Sequence, residues 1–92
     1  MPKHLNGAQK RPVPELKEFL RALREHGERE RFLRQLNTSI NYLYQLSCGD
    51  RRASADFAIR CEAESKKLAA RINGLRPVRR EHLRPDLWGA QG

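Results

Sequence analysis

The sequence has few cysteines and histidines, and they do not cluster. Its two cysteines, Cys48 and Cys61, form no CxxC pair, and its three histidines are scattered at positions 4, 26 and 82. Zinc sites and disulfide scaffolds place such residues at short, repeated spacings. We therefore expect two reduced thiols, as in a cytoplasmic protein, with no metal site and no disulfide framework.

Long apolar runs are also missing. No segment is apolar over the length needed to span a bilayer, and the opening MPKHLNGAQKRP lacks the apolar centre of a signal peptide. The sequence predicts a protein of the bacterial cytoplasm or nucleoid without a membrane partner.

The patterns of a catalytic site are absent as well. The three histidines are scattered along the chain, and no glycine-rich phosphate loop follows a strand-like segment. We predict that the protein is not an enzyme and that it needs no cofactor. No small-molecule ligand is evident.

Aromatic residues make up only 7% of the 92 residues and hydrophobic residues 38%, which predicts one domain with a small, leucine-rich core. No segment shows the alternating pattern of a strand with β-branched residues. A short strand around Val78 is the one exception that the sequence does not exclude. The predicted fold class is all-α, a compact helical bundle with a C-terminal extension.

Basic residues, in contrast, are abundant. Lys and Arg total 19 against 11 acidic residues, a formal net charge of +8. Such an excess favours a polyanionic partner, with nucleic acid ahead of an anionic membrane, although it also occurs in small proteins that are merely soluble.

The chain divides into three segments. Residues 1–13 have no apolar periodicity, which predicts a flexible basic arm. Residues 14–74 are predicted to form the main domain, and residues 75–92 a basic C-terminal extension. Apolar spacing predicts a helix from Pro14 to Gly27, a second ending at Asn37, a third from Thr38 or Ser39 to Gly49, and a fourth beginning near Ser54. Whether the fourth is one helix or two stays open.

The third helix, about residues 39–47, is the candidate functional element. At about 100° per residue, Ile40 and Leu46 flank Leu43 on one side, while Asn41 and Gln45 lie near the opposite pole between Tyr42 and Tyr44. Asn and Gln can each pair bidentately with adenine in the major groove. Arg51 and Arg52 follow within reach of a DNA backbone. The alternative is that the carboxamides are solvated and the tyrosines cover the core edge.

The stretch RERFLRQLNTSINYLYQLSCGDRRAS, residues 29–54, resembles the helix-turn-helix of phage repressors and Cro-type proteins. Asn37 stands where that family usually has the turn glycine. More specifically, NYLYQLSCGDRRASADFAIRCE followed by VRREHLRPDLWG is similar to the Cro-like YdaS family of prophage regulators. Between the two stretches, residues 63–77 are longer than the expected glycine turn, and would extend the fourth helix or carry a dimer contact.

The resemblance implies a lambda-repressor-like fold and a homodimeric transcriptional repressor that binds double-stranded DNA. Carried over by position, the base contacts would be Ser39, Ile40, Asn41, Tyr44 and Gln45. The phosphate contacts would be Arg34, Thr38, Arg51 and Arg52, with Arg31 behind them. Two rival functions remain: a toxin–antitoxin or regulatory protein-interaction module, and a non-specific nucleic-acid binder.

The extension has two interpretations. Leu83, Leu87 and Trp88 either close the core, which we favour, or Trp88 lies in a dimer interface. Arg79 and Arg80 would contact DNA or be solvated.

Overall fold

The computed structural model describes residues 11–89, which form six helices and no β-strand. The predicted all-α bundle is confirmed, and the strand left open around Val78 is not formed. We number the helices α1 Pro14–Glu25, α2 Arg29–Leu36, α3 Ile40–Cys48, α4 Ala55–Arg71, α5 Arg80–Leu83 and α6 Pro85–Trp88. Residues 1–10, most of the predicted basic arm, lie outside the described residues, as do residues 90–92.

Local chemistry sets the ends of α2 and α3 as the sequence predicts. Asn37 ends α2 in the left-handed conformation, with φ 54° and ψ 51°. The Ser39 hydroxyl caps α3 by accepting the Tyr42 N–H at 3.2 Å. Residues 37–39 therefore form a short, sharply turned connection between the two helices.

Gly49 is required where α3 ends. Its φ of +87° lies in the left-handed region, and a Cβ there would sit 2.8 Å from the backbone nitrogen of Arg11. The start of the described chain thus crosses directly over the end of α3. Next to it, the Val13 N–H donates to the Ser47 carbonyl at 2.9 Å, and Val13 belongs to the core although it falls within the predicted arm.

The core lies between the first four helices, where α1 packs against α2 and α3, and α2 packs against α4. Phe19 of α1 and Phe32 of α2 meet edge to face, with ring centroids 5.1 Å apart. The apolar residues predicted to form the core sides of α1 to α3 point inward, and the fully buried leucines of these helices are Leu16, Leu23, Leu36, Leu43 and Leu46.

The fourth predicted helix is one continuous element. It begins after Ser54, whose hydroxyl accepts the Phe57 N–H at 3.0 Å, and runs unbroken to Arg71. Residues 63–71 therefore lengthen α4, which is one of the two roles predicted for residues 63–77, and residues 72–77 follow the helix.

The segment after α4 packs back onto α4. Val78 is buried, and its N–H donates to the buried Ser65 hydroxyl at 2.9 Å. Leu83 is buried and Trp88 packs against the core, as predicted, but Leu87 is 49% exposed, so the prediction for Leu87 is wrong. Its helix, α6, has only four residues, too few for an apolar period to show which side faces inward.

A buried carboxylate also holds this segment. Glu62 of α4 accepts from Arg80 Nε at 2.6 Å, and the Arg80 guanidinium lies 5.3 Å from the Trp88 ring centroid. Burial alone would raise the pKa of Glu62, but the hydrogen bond and charge of Arg80 outweigh it and keep the pKa below its ordinary value. The ionised pair therefore ties α5 and α6 to α4.

Ser65→Ala tests how the segment is held. The substitution leaves the buried Val78 N–H without its acceptor, so we expect a loss of about 1–3 kcal/mol in the free energy of unfolding, measured by urea denaturation. Lys67→Ala, at an exposed position of the same helix, should change it by about 0.5 kcal/mol or less. Equal effects of the two substitutions would contradict the contact.

Candidate nucleic-acid interface

One side of α3 is committed to the core. Leu43, Leu46 and Ser47 are buried, and the Ser47 hydroxyl donates to the Tyr44 carbonyl at 2.8 Å. Ile40 is half-buried and packs against the same cluster. This agrees with the aliphatic side predicted from the helical wheel.

The opposite side of α3 is open to solvent. Ser39, Asn41, Tyr44 and Gln45 are all exposed, and Tyr44 keeps 44% of its surface accessible. Four of the five predicted base-contact residues are therefore exposed, with Asn41, Tyr44 and Gln45 on the outer side of the helix and Ser39 at its N-cap, while Ile40 is half-buried. We call Ser39, Asn41, Tyr44 and Gln45 the polar face of α3.

Tyr42, left unassigned between the two sides of α3, lies toward the core. Its ring meets that of Phe57 of α4 edge to face, with centroids 5.3 Å apart, and it is half-buried. The sequence does not reveal this, because the wheel puts Tyr42 at the border and its partner lies on another helix.

Arg29, at the start of α2, contacts the polar face, and no sequence pattern indicates this. Its Nη1 donates to the Tyr44 hydroxyl at 3.4 Å. No local signal could have identified it, since the two residues are 15 positions apart and meet only through the packing of α2 and α3.

The predicted phosphate-contact residues lie in three places. Arg34 is exposed on α2, Thr38 is half-buried in the turn, and Arg51 and Arg52 are exposed in the loop after α3. Arg31 is exposed on α2 and lines a small pocket with residues of α4. Arg34 and Thr38 thus precede the polar face along the chain, and the arginine pair follows it.

Arg60 of α4 is a further cation that sequence patterns did not indicate. Its Nη2 donates to the Leu36 carbonyl at 2.8 Å, at the end of α2, and its guanidinium lies over the Phe57 ring at 5.9 Å. Arg60 therefore supports the turn between α2 and α3.

An open groove of about 930 Å³ adjoins the end of α3. Its apolar lining consists of Val13, Leu46, Ala53 and Leu83, and its polar lining includes Arg11, Arg51, Arg52, His82, Asp50 and Asp86. Three arginines thus line one groove at the C-terminal end of α3.

Asp86 is the most strongly perturbed carboxylate beside this groove. Arg84 donates to both of its oxygens, from Nε at 2.9 Å and from Nη2 at 2.7 Å. These hydrogen bonds, together with the nearby charges of Arg84 and Arg52, lower the pKa of Asp86 to about 2. Asp86 therefore stays ionised at neutral pH.

The two cysteines differ in reactivity. Burial, assisted by the charge of Glu62, raises the pKa of the Cys61 thiol to about 12, so it stays protonated and unreactive. Cys48 is exposed at the end of α3. Both are free thiols.

Residues 11–89 contain no cluster of His, Cys, Asp and Glu side chains that could hold a metal ion. None of their helices has the length and apolar character needed to cross a membrane. No protein-family model, curated protein or solved structure matches the chain.

The depressed pKa of Asp86 predicts a pH-dependent contribution to stability. Because the folded-state pKa is near 2 and the ordinary value is 3.8, ionised Asp86 stabilises the fold above about pH 4, and this contribution disappears as the pH falls toward 2. Wild type should therefore melt at a higher temperature than Asp86→Asn at neutral pH, and the difference should vanish near pH 2. Circular dichroism melts measure this; a difference that is independent of pH would contradict it.

Proposed function

We propose that the protein is a sequence-specific double-stranded DNA-binding regulator that inserts α3 into the major groove. The observation that carries the proposal is the polar face of α3, which exposes Asn41, Tyr44 and Gln45 together while Leu43 and Leu46 anchor the other side. A short helix that offers two carboxamides and a phenol on one side has the chemistry to read base edges.

Each residue of this face has a distinct proposed contact. Asn41 and Gln45 can each donate to adenine N7 and accept from adenine N6. Ser39 and Tyr44 supply hydroxyl groups, and the half-buried Ile40 would touch a thymine methyl. Since α3 carries no charged residue, it approaches the DNA without repulsion from the phosphates.

Affinity would come from the residues around the face. Arg34, Arg51 and Arg52 are exposed cations, and Thr38 lies at the N-terminal side of α3, where a hydroxyl can reach a phosphate. With a net charge of +8, binding would release counterions and weaken steeply as salt rises.

The resemblance to the YdaS-type prophage regulators makes repression the proposed biological role. Occupation of a promoter excludes polymerase, which requires neither catalysis nor a cofactor. The protein would act in the bacterial cytoplasm or nucleoid, on DNA as its partner.

Substitution of the carboxamides tests base reading. In a selection of duplexes from a random pool, wild type should enrich one sequence, and Asn41→Ala and Gln45→Ala should each weaken its binding by about 1–3 kcal/mol and relax the preference at particular positions. Gln35→Ala, an exposed carboxamide on α2, is the matched control and should leave the preference intact.

The same selection separates the rival functions. Binding of every duplex with equal affinity, unaffected by the Asn41 and Gln45 substitutions, would indicate a non-specific nucleic-acid binder. Absence of duplex binding would favour a protein-interaction module. Either outcome would reject base reading by α3.

We also propose that the protein binds DNA as a homodimer. With nine residues, α3 is about 14 Å long and covers only about four base pairs, too few for a selective site. The selected sequence should therefore be an inverted repeat with half-sites about 34 Å apart, and the complex should contain two chains per duplex by sedimentation. A single unrepeated site with one chain bound would contradict the dimer.

A further inference from the structure

An arginine of the C-terminal segment holds the loop between α3 and α4, residues 49–54. Arg84 Nη1 donates to the Ala53 carbonyl at 3.0 Å, while its Nε and Nη2 donate to the Asp86 carboxylate. The Arg84 side chain is only 15% exposed. Arg84 thus joins the first turn of α6 to the loop that carries Arg51 and Arg52.

Asp86 has a second basic neighbour on that loop. Its Oδ2 lies 3.7 Å from Arg52 Nη1, and the Arg52 side chain remains 65% exposed. A guanidinium has five N–H donors, and this contact engages one side of it. Arg52 is therefore oriented by Asp86 while most of its side chain faces solvent.

Arg84 and Arg52 differ in how available they are to a new anion. Arg84 uses three of its nitrogens on protein acceptors at 2.7–3.0 Å, so a phosphate would have to displace short hydrogen bonds. Because the contact of Arg52 with Asp86 is long, Arg52 can donate to a phosphate without giving up a short hydrogen bond. The sequence presents both simply as arginines in a basic chain.

We propose that Arg84 and Asp86 are positioning residues for DNA-backbone binding: they hold the 49–54 loop so that Arg52 is presented to a phosphate next to the polar face of α3. This inference rests on the proposed function. It assigns to the C-terminal segment a role in binding that does not require any contact between that segment and DNA.

An acidic residue beside Arg52 could instead compete with phosphate for the cation. The distances favour positioning, because the carboxylate is already satisfied by Arg84 at 2.7 and 2.9 Å and meets Arg52 only at 3.7 Å. The two cases predict opposite changes in DNA affinity when the charge of Asp86 is removed. Binding should weaken if Asp86 positions Arg52, and it should strengthen if Asp86 competes with the phosphate.

The experiment measures how the affinity for a mixed-sequence duplex of about three helical turns varies with salt concentration. The slope of log K against log salt counts phosphate contacts at about 0.9 each, so no operator sequence is needed. The chains compared are wild type, Asp86→Asn, Arg52→Gln and the double variant. Circular dichroism confirms that each is folded at the temperature used.

Under the proposal, Asp86→Asn and Arg52→Gln each weaken binding several-fold and reduce the slope by about one contact. The double variant should lose no more affinity than either single variant, because the two substitutions remove the same phosphate contact. Arg84→Lys, which keeps the charge but lacks the fork that joins Asp86 to Ala53, should resemble Asp86→Asn.

Glu64→Gln is the matched control. It also removes one negative charge from an ion pair, with Lys67 of α4, and should leave the slope unchanged. Stronger binding by Asp86→Asn, or additive losses in the double variant, would overturn the positioning role while leaving DNA binding in place. If wild type itself shows no salt-dependent binding, the proposed function falls, and this inference with it.

Discussion

The rotation of α3 about its own axis is the constraint on which the candidate interface depends. Leu43 and Leu46 are buried in the core, and α1 packs directly against α3. The Val13–Ser47 backbone hydrogen bond adds a second restraint at the end of the helix. Since successive residues on a helix differ by about 100°, burial of the two leucines forces Asn41 and Gln45 outward. The polar face thus follows from packing rather than from any interaction that its own side chains make.

The parts of the fold that the sequence predicts are those governed by short-range chemistry. Asn37 ends α2 because it tolerates the left-handed conformation, Ser39 caps α3, and Gly49 ends it. Each of these signals acts over three or four residues, so each can be read without knowing the tertiary structure. The exposed positions of Asn41 and Gln45 follow from the same local periodicity. Their binding to DNA is a separate claim that the fold does not test.

Contacts between residues distant in sequence could not be predicted in this way. Tyr42 lies at the border of the helical wheel, and only the position of Phe57 on α4 turns it toward the core. The arginines of the C-terminal segment also differ from one another for this reason. Arg80 pairs with Glu62, and Arg84 donates to the distant Ala53 carbonyl as well as to the neighbouring Asp86, while Arg79 stays exposed. Composition shows only that the segment is basic. The partner carboxylates decide which of its cations remain available.

The distribution of charge around α3 suggests how selectivity and affinity are divided. Within Ile40–Cys48 there is no ionisable acid or base other than the tyrosine phenols and the thiol, whereas Arg34 and the Arg51–Arg52 pair lie outside the helix. Neutral side chains on the polar face would contribute hydrogen bonds whose strength depends on the base opposite them and little on salt. The surrounding cations would contribute a salt-sensitive attraction that is indifferent to sequence. The two groups are nevertheless joined through the backbone, because the Asp50 and Arg51 N–H groups donate to the Gln45 carbonyl at 2.9 and 3.2 Å, so the loop that carries the arginine pair is fixed relative to the polar face.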